Sequence, residues 1–442
     1  MSAHTLQQLQ SGELKGIKRL DLSCGLTEFP SEIFDLADSL EVLNLSGNQL
    51  SSLPDDLWRL HKMQIIFCSD NLFTELPAVL GACPALTMIG FKANQIASVP
   101  AASLPKSLRW LVLTDNRIAQ LPDSLGDCVD LQKLMLAGNQ LRELPVSMVN
   151  CQQLELIRLA ANQFAELPAC LFELPRLSWL ALGGNPLGDD LVAQRLAQQN
   201  LAQVPWSALT VGSLLGEGAS GAIYQAQYCC TESVKSGVAL KLFKGQVTSD
   251  GLPETEMATC SAAGSHPNLI GVLARLVGHP ECVQGLLVPL ILPEFSVLAR
   301  PPSLVSCTRD MYADDLSLSV SVAIHIARCV ASAAAHLHQR GVLHGDLYAH
   351  NVLRNADGYA YLGDFGAATF YDKDSSSAQW IERVEVRAFS CLLEELLARV
   401  NWSSDLAQLK QDLYQLQSEC AQAKVMQRPD FVGVLAALGA VL

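Results

Sequence analysis

The strongest constraint on the fold is a short pattern that recurs along residues 17–188. Seven copies carry an asparagine after an apolar core, and successive asparagines lie 23, 23, 22, 23, 23 and 23 residues apart. These asparagines are Asn48, Asn71, Asn94, Asn116, Asn139, Asn162 and Asn185. A unit of this length cannot bury its apolar face alone, so neighbouring units must stack to make a core. The first part of the chain is therefore predicted to be a continuous array of repeats.

The shared core LxxLxLxxNxL, as in LEVLNLSGNQL at 40–50, resembles leucine-rich repeats. That resemblance implies an α/β solenoid of the horseshoe type. Each LxL segment is predicted to be a short strand whose leucines face the interior, and each LPxxL segment a short helical turn. The asparagine side chains are predicted to bond the backbone of neighbouring turns. A shorter eighth copy lies at 17–30, and polar-faced helical caps are predicted at 5–10 and 189–200.

Large apolar residues recur at strand positions that should point out of the concave face of this array. They are Val42, Ile65, Phe67, Met88, Trp110, Met135, Leu156 and Trp179. If exposed, they would form an apolar patch larger than a monomer usually carries, which indicates a binding surface for a protein partner or for the second half of this chain. The alternative is that neighbouring side chains shield them.

Composition restricts the compartment and the partners. The formal net charge is −14 without a basic cluster, which disfavours nucleic acid as the main partner. No signal peptide and no apolar run long enough to span a bilayer is recognised, so a cytoplasmic protein with reduced cysteines is predicted. Cys83, Cys128 and Cys151 occupy inward-facing repeat positions and are predicted to be small buried hydrophobes. Zinc binding is the alternative, but no CxxC pair supports it.

The second half begins with a glycine-rich stretch, LLGEGASGAIYQA at 214–226. Its GxGxxG spacing would let a hairpin lie close over phosphates, although glycine-rich turns are common. The apolar stretch VALKLFK at 238–244 follows and places Lys241 where it could bridge nucleotide phosphates. A lysine in such surroundings would be costly without an anionic partner. Glu256 is the predicted partner, and Glu254 is the competitor.

Two further motifs supply oxygen and amide side chains. HGDLYAHNVL at 344–353 contains Asp346 and Asn351, and Asp364 begins the Asp-Phe-Gly motif a few residues later. Phosphoryl transfer requires an acceptor for the proton of the substrate hydroxyl and oxygen ligands for magnesium. The ordered set of motifs therefore predicts a phosphotransferase.

With these motifs, residues 207–442 resemble the eukaryotic-type protein kinase fold. The whole chain resembles the leucine-rich-repeat protein kinases found as cytoplasmic proteins in bacteria. The resemblance implies a repeat domain at 1–205 and a two-lobed α+β kinase-like domain at 206–442. Its N-lobe would end near residue 290, and ATP would bind between the lobes.

The resemblance also assigns roles to individual residues. The phosphate-covering residues would be Gly216, Gly218, Gly221 and Ile223, and those that sandwich adenine would be Ala239 and Leu353, with Val288 in a hinge at 287–290. Lys241 would bind the α- and β-phosphates and Glu256 would position it. Asp346 would be the catalytic base, and Asn351 and Asp364 would hold Mg²⁺.

Three features depart from the family pattern. Gly345 replaces the usual Arg, which indicates that no phosphorylation switch is needed, and Tyr348 replaces a Lys that would neutralise the transferred phosphoryl group. Only about eighteen residues separate the Asp-Phe-Gly motif from Glu385, which is predicted to open the next helix. This segment lacks the Ala-Pro-Glu motif whose Glu normally pairs with an Arg at the position of Arg428. Arg428 is therefore predicted to pair with Glu382.

These departures leave three hypotheses open. A Ser/Thr-type protein kinase with a recognition array is favoured, because the charged catalytic residues and the glycines are present. A pseudokinase scaffold that acts only through the concave surface is the second. A small-molecule kinase is the third, since HGDL followed by Asn also resembles aminoglycoside and choline kinases and the segment that would dock a peptide is short.

Overall fold

The computed structural model describes residues 4–197, 201–218, 221–231, 234–244, 248 and 250–440. They fall into two compact units, Met1–Leu177 and Ser178–Leu442. The predicted domain boundary at 205/206 lies later in the chain and stays a prediction. One consequence of the observed division is that the strand of the last repeat, β8 (Trp179–Ala181), and the helix after it, α2 (Pro186–Ala197), belong to the second unit.

The first unit is built on three-residue parallel strands, one in each repeat. They are β1 (Arg19–Asp21), β2 (Val42–Asn44), β3 (Ile65–Phe67), β4 (Met88–Gly90), β5 (Trp110–Val112), β6 (Lys133–Met135) and β7 (Leu156–Arg158). Each strand pairs in parallel with the next, residue for residue. The central Leu or Ile of every strand is fully buried, because alternate side chains of a strand face the same side. The predicted repeat array is confirmed.

Short 3₁₀ turns connect the strands. They span Ser31–Leu36, Leu57–Arg59, Ala78–Ala82, Ala101–Ser103, Asp123–Asp127, Val146–Asn150 and Ala169–Glu173. A proline directly precedes six of them, which suits its fixed φ and its missing N–H at the start of a turn. The predicted N-terminal cap is the helix α1 (Leu6–Gln10), whose capping box joins Thr5 and Gln8.

The marker asparagines tie successive repeats together. The carboxamide oxygen of Asn139 accepts from the backbone N–H of Ile118 at 3.0 Å. Its nitrogen donates to the carbonyls of Leu113 at 2.9 Å and Leu136 at 3.0 Å. Asn162 repeats this arrangement one turn further along. A side chain with both donor and acceptor can satisfy backbone groups that the short strands leave unpaired.

The predicted concave patch is more enclosed than expected. Five of its eight residues are half-buried, namely Val42, Ile65, Phe67, Trp110 and Met135, while Met88, Leu156 and Trp179 are buried. Neighbouring side chains therefore shield all eight residues from solvent at least in part. A β-carbon at Gly90 would lie 2.6 Å from the ring of Phe67, so glycine lets that ring lie over the next strand.

The second unit contains a six-stranded sheet in the order β10-β11-β12-β14-β13-β9. Its strands are β9 (Ala202–Pro205), β10 (Leu209–Glu217), β11 (Gly221–Thr231), β12 (Val234–Phe243), β13 (Ala274–Val277) and β14 (Gly285–Pro289). The edge strand β9 lies just before the predicted domain boundary at 205/206. Residues 202–205, which form this strand, pair in parallel with β13. The segment is thus part of the sheet.

Besides α2, the described part of this unit contains five further helices. They are α3 (Pro253–Ala263), α4 (Val320–Gln339), α5 (Ala378–Leu397), α6 (Ala407–Cys420) and α7 (Phe431–Ala440). Short strands β15 (Ser296–Val297), β17 (Val352–Arg354) and β18 (Ala360–Leu362) form one sheet, and β16 (Val342–Leu343) pairs with β19 (Thr369–Phe370). Short 3₁₀ turns span Trp206–Ala208, Ala349–Asn351, Ser404–Leu406 and Val425–Gln427.

The helix α4 bears on the predicted absence of a membrane span. It is 20 residues long and apolar enough to cross a bilayer by length and composition, contrary to the expectation that no such stretch exists. Most of its most apolar window is buried within the protein. The core helix of a soluble protein has the same character, so the absence of a span stays a prediction.

Candidate active site

The buried lysine of β12 lies between two carboxylates. Lys241 Nζ forms a short ion pair with Glu256, which α3 supplies, and lies 3.4 Å from Oδ1 of Asp364. Burial would lower the pKa of Lys241, but Asp364 and Glu256 together raise it. The ammonium therefore stays charged. The competing carboxylate Glu254 is exposed on the first turn of α3.

Asp364 has a backbone suited to a ligand-binding carboxylate. Its φ is +55°, a left-handed conformation that aspartate tolerates better than most residues. Its Oδ1 accepts a 3.1 Å hydrogen bond from the backbone N–H of Gly366. Burial opposes its ionisation, yet Lys241 and Gly366 hold its pKa below the usual range. Its side chain remains 48% accessible from the cleft.

A cleft beside these groups is lined in part by Gly218 and Gly221 of the glycine-rich stretch. Its lining comprises Gly218, Gly221, Ile223, Lys241, Glu256, Cys260, Ile270, Leu286, Val288, Asp364 and Phe365. A β-carbon at Gly221 would lie 2.4 Å from the carbonyl oxygen of Leu242, so glycine is required by this close approach of two strands. Cys260, Ile270 and Leu286 were not predicted, because no motif marks isolated apolar residues that converge only in three dimensions.

Three residues predicted to contact the nucleotide lie outside the lining of this cleft. Ala239 is buried on β12 directly opposite Val288 of β14, so Ala239 is one strand away from the cleft-lining valine. Leu353 is half-buried on β17, and Gly216 lies on β10. Ala239, Leu353 and Gly216 do not line the described cleft. The predicted hinge at 287–290 is the end of β14 and the residue after it.

The loop that carries Asp346 is held by its own side chains. The amide nitrogen of Asn351 donates to Oδ2 of Asp346 at 2.8 Å and to its carbonyl at 2.9 Å. The backbone N–H of Gly363, next to Asp364, donates to the carbonyl of Asn351 at 2.9 Å. These bonds connect Asp346, Asn351 and Asp364 into one arrangement, as the order of motifs predicts.

Glu385 anchors the same loop from α5. It is 1% exposed and accepts hydrogen bonds from the backbone N–H of Gly345 at 2.7 Å and from His338 Nε2 at 2.8 Å. The predicted helix start at Glu385 is wrong, because α5 begins at Ala378. The seven residues from Ala378 to Val384 form the first two helical turns, and their buried residues include Trp380 and Ile381.

The pairing of His350 with Asp310, next to Asp346, was not predicted. His350 Nδ1 lies 2.8 Å from Oδ1 of Asp310, and the backbone N–H of His350 donates to Oδ2 at 2.9 Å. His350 Nε2 lies 4.0 Å from Oδ2 of Asp346. Burial would lower the pKa of His350, but the carboxylates of Asp310 and Asp346 raise it. The partner Asp310 is 40 residues away in sequence, so no local pattern marks it.

The residues assigned to magnesium fit a nucleotide-bound ion better than a protein cage. Among the described residues no group of three or more His, Cys, Asp or Glu side chains is arranged to hold a metal. Mg²⁺ commonly takes one or two protein oxygens and completes its shell with phosphates and water. The accessible carboxylate of Asp364 and the amide oxygen of Asn351, whose nitrogen is bound to Asp346, meet this requirement. The ion would neutralise phosphate charge.

The buried cysteines do not support the zinc alternative. Cys83, Cys128 and Cys151 are buried and free. Burial raises the pKa of Cys83 and Cys128 to about 11 and that of Cys151 to about 12. Zinc binds the thiolate, so these protonated thiols act as small apolar side chains.

The predicted pairing of Arg428 with Glu382 is not observed. Arg428 Nε donates to the carbonyl of Gln422 at 2.8 Å, and its Nη1 donates to the carbonyl of Arg383 at 3.0 Å. Glu382 instead accepts a 2.7 Å hydrogen bond from the hydroxyl of Tyr371. Both acceptors are backbone carbonyls, and such partners cannot be predicted by matching side chains of opposite charge.

Comparisons with known proteins agree with this description. Residues 209–405 match the family model described as protein tyrosine and serine/threonine kinase. Residues 106–164 and 39–60 match two models described as leucine-rich repeats. Fibroblast growth factor receptor 1 of Xenopus laevis is 28% identical over 203 residues, which are 43% of this chain and 24% of that protein. The protein of the same name from Pleurodeles waltl is 26% identical over 203 residues, with the same shares.

The chain thus contains a leucine-rich-repeat region followed by a protein kinase domain, and the predicted fold class is confirmed. It spans about a quarter of the length of the curated relatives, at 24%. The matched kinase description covers both tyrosine and serine/threonine acceptors. Both relatives are eukaryotic, so the predicted likeness to bacterial proteins is not confirmed.

Proposed function

We propose that this protein is a Mg-ATP-dependent protein kinase that transfers phosphate to serine or threonine. The observation that carries the proposal is the position of Lys241, paired with Glu256 and 3.4 Å from Asp364 in a cleft that Gly218 and Gly221 also line. Such a preorganised cation can neutralise triphosphate charge without reorganising. A scaffold that bound no nucleotide would have no need for this buried and costly charge cluster.

Within this proposal, Asp346 accepts the proton of the substrate hydroxyl. Its carboxylate is held at Oδ2 by Asn351, so its orientation is fixed before substrate arrives. Lys241 binds the phosphates and Glu256 keeps that lysine in place. Asn351 and Asp364 would hold the Mg²⁺, which supplies charge neutralisation of the phosphates.

The choice of serine or threonine is supported by the segment after the Asp-Phe-Gly motif. Its tyrosine, Tyr371, is buried with its hydroxyl 2.7 Å from Glu382, and burial raises the pKa of this hydroxyl. Ser376 is exposed, and its neighbours Ser375 and Ser377 are half-buried. Aliphatic hydroxyls are therefore the accessible acceptors in this segment, where self-phosphorylation would occur.

We also propose that the repeats bind a protein partner through the concave strand positions, and that the protein works in the cytoplasm. The half-buried Trp110, with the Lys133 ammonium 4.2 Å from its ring centre, has the amphipathic character of residues that anchor protein interfaces. Cys68, Cys83, Cys128 and Cys151 are buried cysteines without a disulfide, which suits a reducing compartment.

Incubation of the purified protein with magnesium and ³²P-labelled ATP, followed by phosphoamino acid analysis, tests the proposal. Label on serine or threonine that disappears in Asp346→Asn supports it. Label on tyrosine would contradict the acceptor assignment. Label only on added metabolites such as aminoglycosides or choline would identify a small-molecule kinase, and nucleotide binding without turnover would identify a pseudokinase.

A further inference from the structure

The indole of Trp179 lies against the catalytic loop. Its ring stacks on that of Tyr348 with centroids 4.1 Å apart and planes within 6° of parallel. Its Nε1 donates a 3.1 Å hydrogen bond to the carbonyl of Leu347, the residue after Asp346. Trp179 is 1% exposed and Tyr348 is 5% exposed, so this contact is dry. A stacked and hydrogen-bonded pair restricts the backbone on both sides of it.

The next residue in β8 explains the glycine at position 345. Gly345 has φ +74°, and a β-carbon there would lie 2.6 Å from the carbonyl oxygen of Leu180 and 2.7 Å from that of Ala367. Real β-carbons are essentially never found this close to another heavy atom. An arginine at this position would therefore require β8 and the segment after the Asp-Phe-Gly motif to move apart.

The same segment reaches α3, the helix of Glu256. A β-carbon at Gly183 would lie 2.8 Å from Cγ2 of Thr255, so backbone at 183 runs directly over that side chain. Thr255 is buried and directly precedes Glu256. Residues 179–183 thus contact the catalytic loop and the helix that positions Lys241, both inside the second unit.

We propose that Trp179–Gly183 form a permanent brace for the kinase active site, with Trp179 as a positioning residue that fixes Asp346 through Leu347 and Tyr348. This inference rests on the proposed kinase function. It explains why the two departures in HGDLY, Gly345 and Tyr348, occur together: each is in contact with the same strand. The brace is part of the chain, so the catalytic loop needs no phosphate on a neighbouring segment to hold it.

The test compares Trp179→Ala and Trp179→Phe with Trp402→Ala. Trp402 is a matched control in the same unit, because its Nε1 also donates to a backbone carbonyl, that of Leu397 at 3.2 Å. Amide hydrogen exchange is followed by mass spectrometry in peptides that cover residues 344–351. Exchange in Trp179→Ala is expected to rise about fivefold or more, the factor for losing one net hydrogen bond, and Trp402→Ala is expected to leave these peptides unchanged.

The second readout is kinetic. In Trp179→Ala we expect kcat to fall about 10- to 100-fold, since small displacements of a catalytic group have effects of this size, with the KM for ATP unchanged. Trp179→Phe keeps a stacking ring without the hydrogen bond and should fall between Ala and wild type in both readouts. It also serves as the test if Trp179→Ala does not fold.

Exchange at 344–351 equal to wild type in both Trp179 variants would overturn the brace, even in an active kinase. A rise in kcat in Trp179→Ala would also overturn the brace, because Trp179 would then hinder catalysis in the wild-type protein. If the wild-type protein transfers no phosphate, the proposed function fails, while faster exchange restricted to the Trp179 variants would still establish the structural brace.

Discussion

Glu385 accepts a 2.7 Å hydrogen bond from the backbone N–H of Gly345, so a carboxylate in the core of α5 holds the residue next to the proposed catalytic base. The second carboxylate oxygen lies 2.8 Å from His338 Nε2 and 3.4 Å from the backbone nitrogen of His344. A buried carboxylate with several donors is rigidly placed, and it transmits that rigidity to the loop.

Substitution of Glu385 by Gln should weaken this anchor. An amide replaces one acceptor by a donor, which cannot bond an N–H group, so we expect a loss of about 2 kcal/mol in unfolding free energy and about a tenfold fall in kcat. Urea unfolding and steady-state kinetics measure the two effects. Glu394→Gln, at an exposed position of the same helix, is the control and should change neither value appreciably.

The same carboxylate predicts an acid-side loss of stability. Burial opposes ionisation of Glu385, but His338 and the other donors hold its pKa below the usual 4.5. A depressed carboxyl pKa stabilises the fold above the unfolded value, and this contribution is lost as pH falls through the folded value. Unfolding free energy measured from about pH 6 down to pH 3 should therefore fall less steeply in Glu385→Gln than in wild type. Parallel curves would contradict this account.

Lys241→Met should abolish most phosphotransfer. The variant leaves Glu256 buried without its cation and removes the charge that faces the phosphates, so we expect kcat/KM to fall about 10²- to 10³-fold. Labelled-ATP kinetics provide the measurement. Lys410→Met, which removes an exposed lysine of α6, should retain wild-type kinetics. Equal activity of the two variants would remove Lys241 from the site.

Asn139→Ala should destabilise the repeat region. The change leaves one backbone N–H and two carbonyls without the partner they have in the structure, which we expect to cost about 3 kcal/mol. Urea unfolding followed by circular dichroism measures the loss. Asn150→Ala, at the exposed last position of the 3₁₀ turn Val146–Asn150, should stay within about 0.5 kcal/mol of wild type.

A double-mutant cycle tests the corrected partner of Glu382. Tyr371→Phe and Glu382→Ala remove the two ends of one 2.7 Å hydrogen bond, so their losses of unfolding free energy should be non-additive by about 0.5 kcal/mol or more. Arg428→Met combined with Glu382→Ala should show a smaller coupling. The reverse order of coupling energies would restore the pairing of Arg428 with Glu382.

Much of this architecture could be predicted from the chain alone. The repeat pattern predicted the strands, the short helical turns and the hydrogen bonds of the asparagine side chains, because each repeat makes its main contacts with neighbours about 23 residues away. Lys241, Glu256 and Asp364 were placed together because each belongs to a motif with its own local spacing. The start of α5 at Ala378, seven residues before the predicted Glu385, and the edge strand at 202–205 lay outside any such motif.

Only the tertiary structure decided the role of Trp179. By sequence it occupies the same strand position as Trp110 and belongs to a partner-binding face, yet it is buried against Leu347 and Tyr348, with Leu347 lying 168 positions away. The local period of a repeat specifies which way a side chain points, and periodicity extends only over neighbouring repeats. Which residues that side chain contacts depends on segments that are distant in sequence. Shape complementarity and burial bring those segments together, and neither produces a repeat pattern in the sequence.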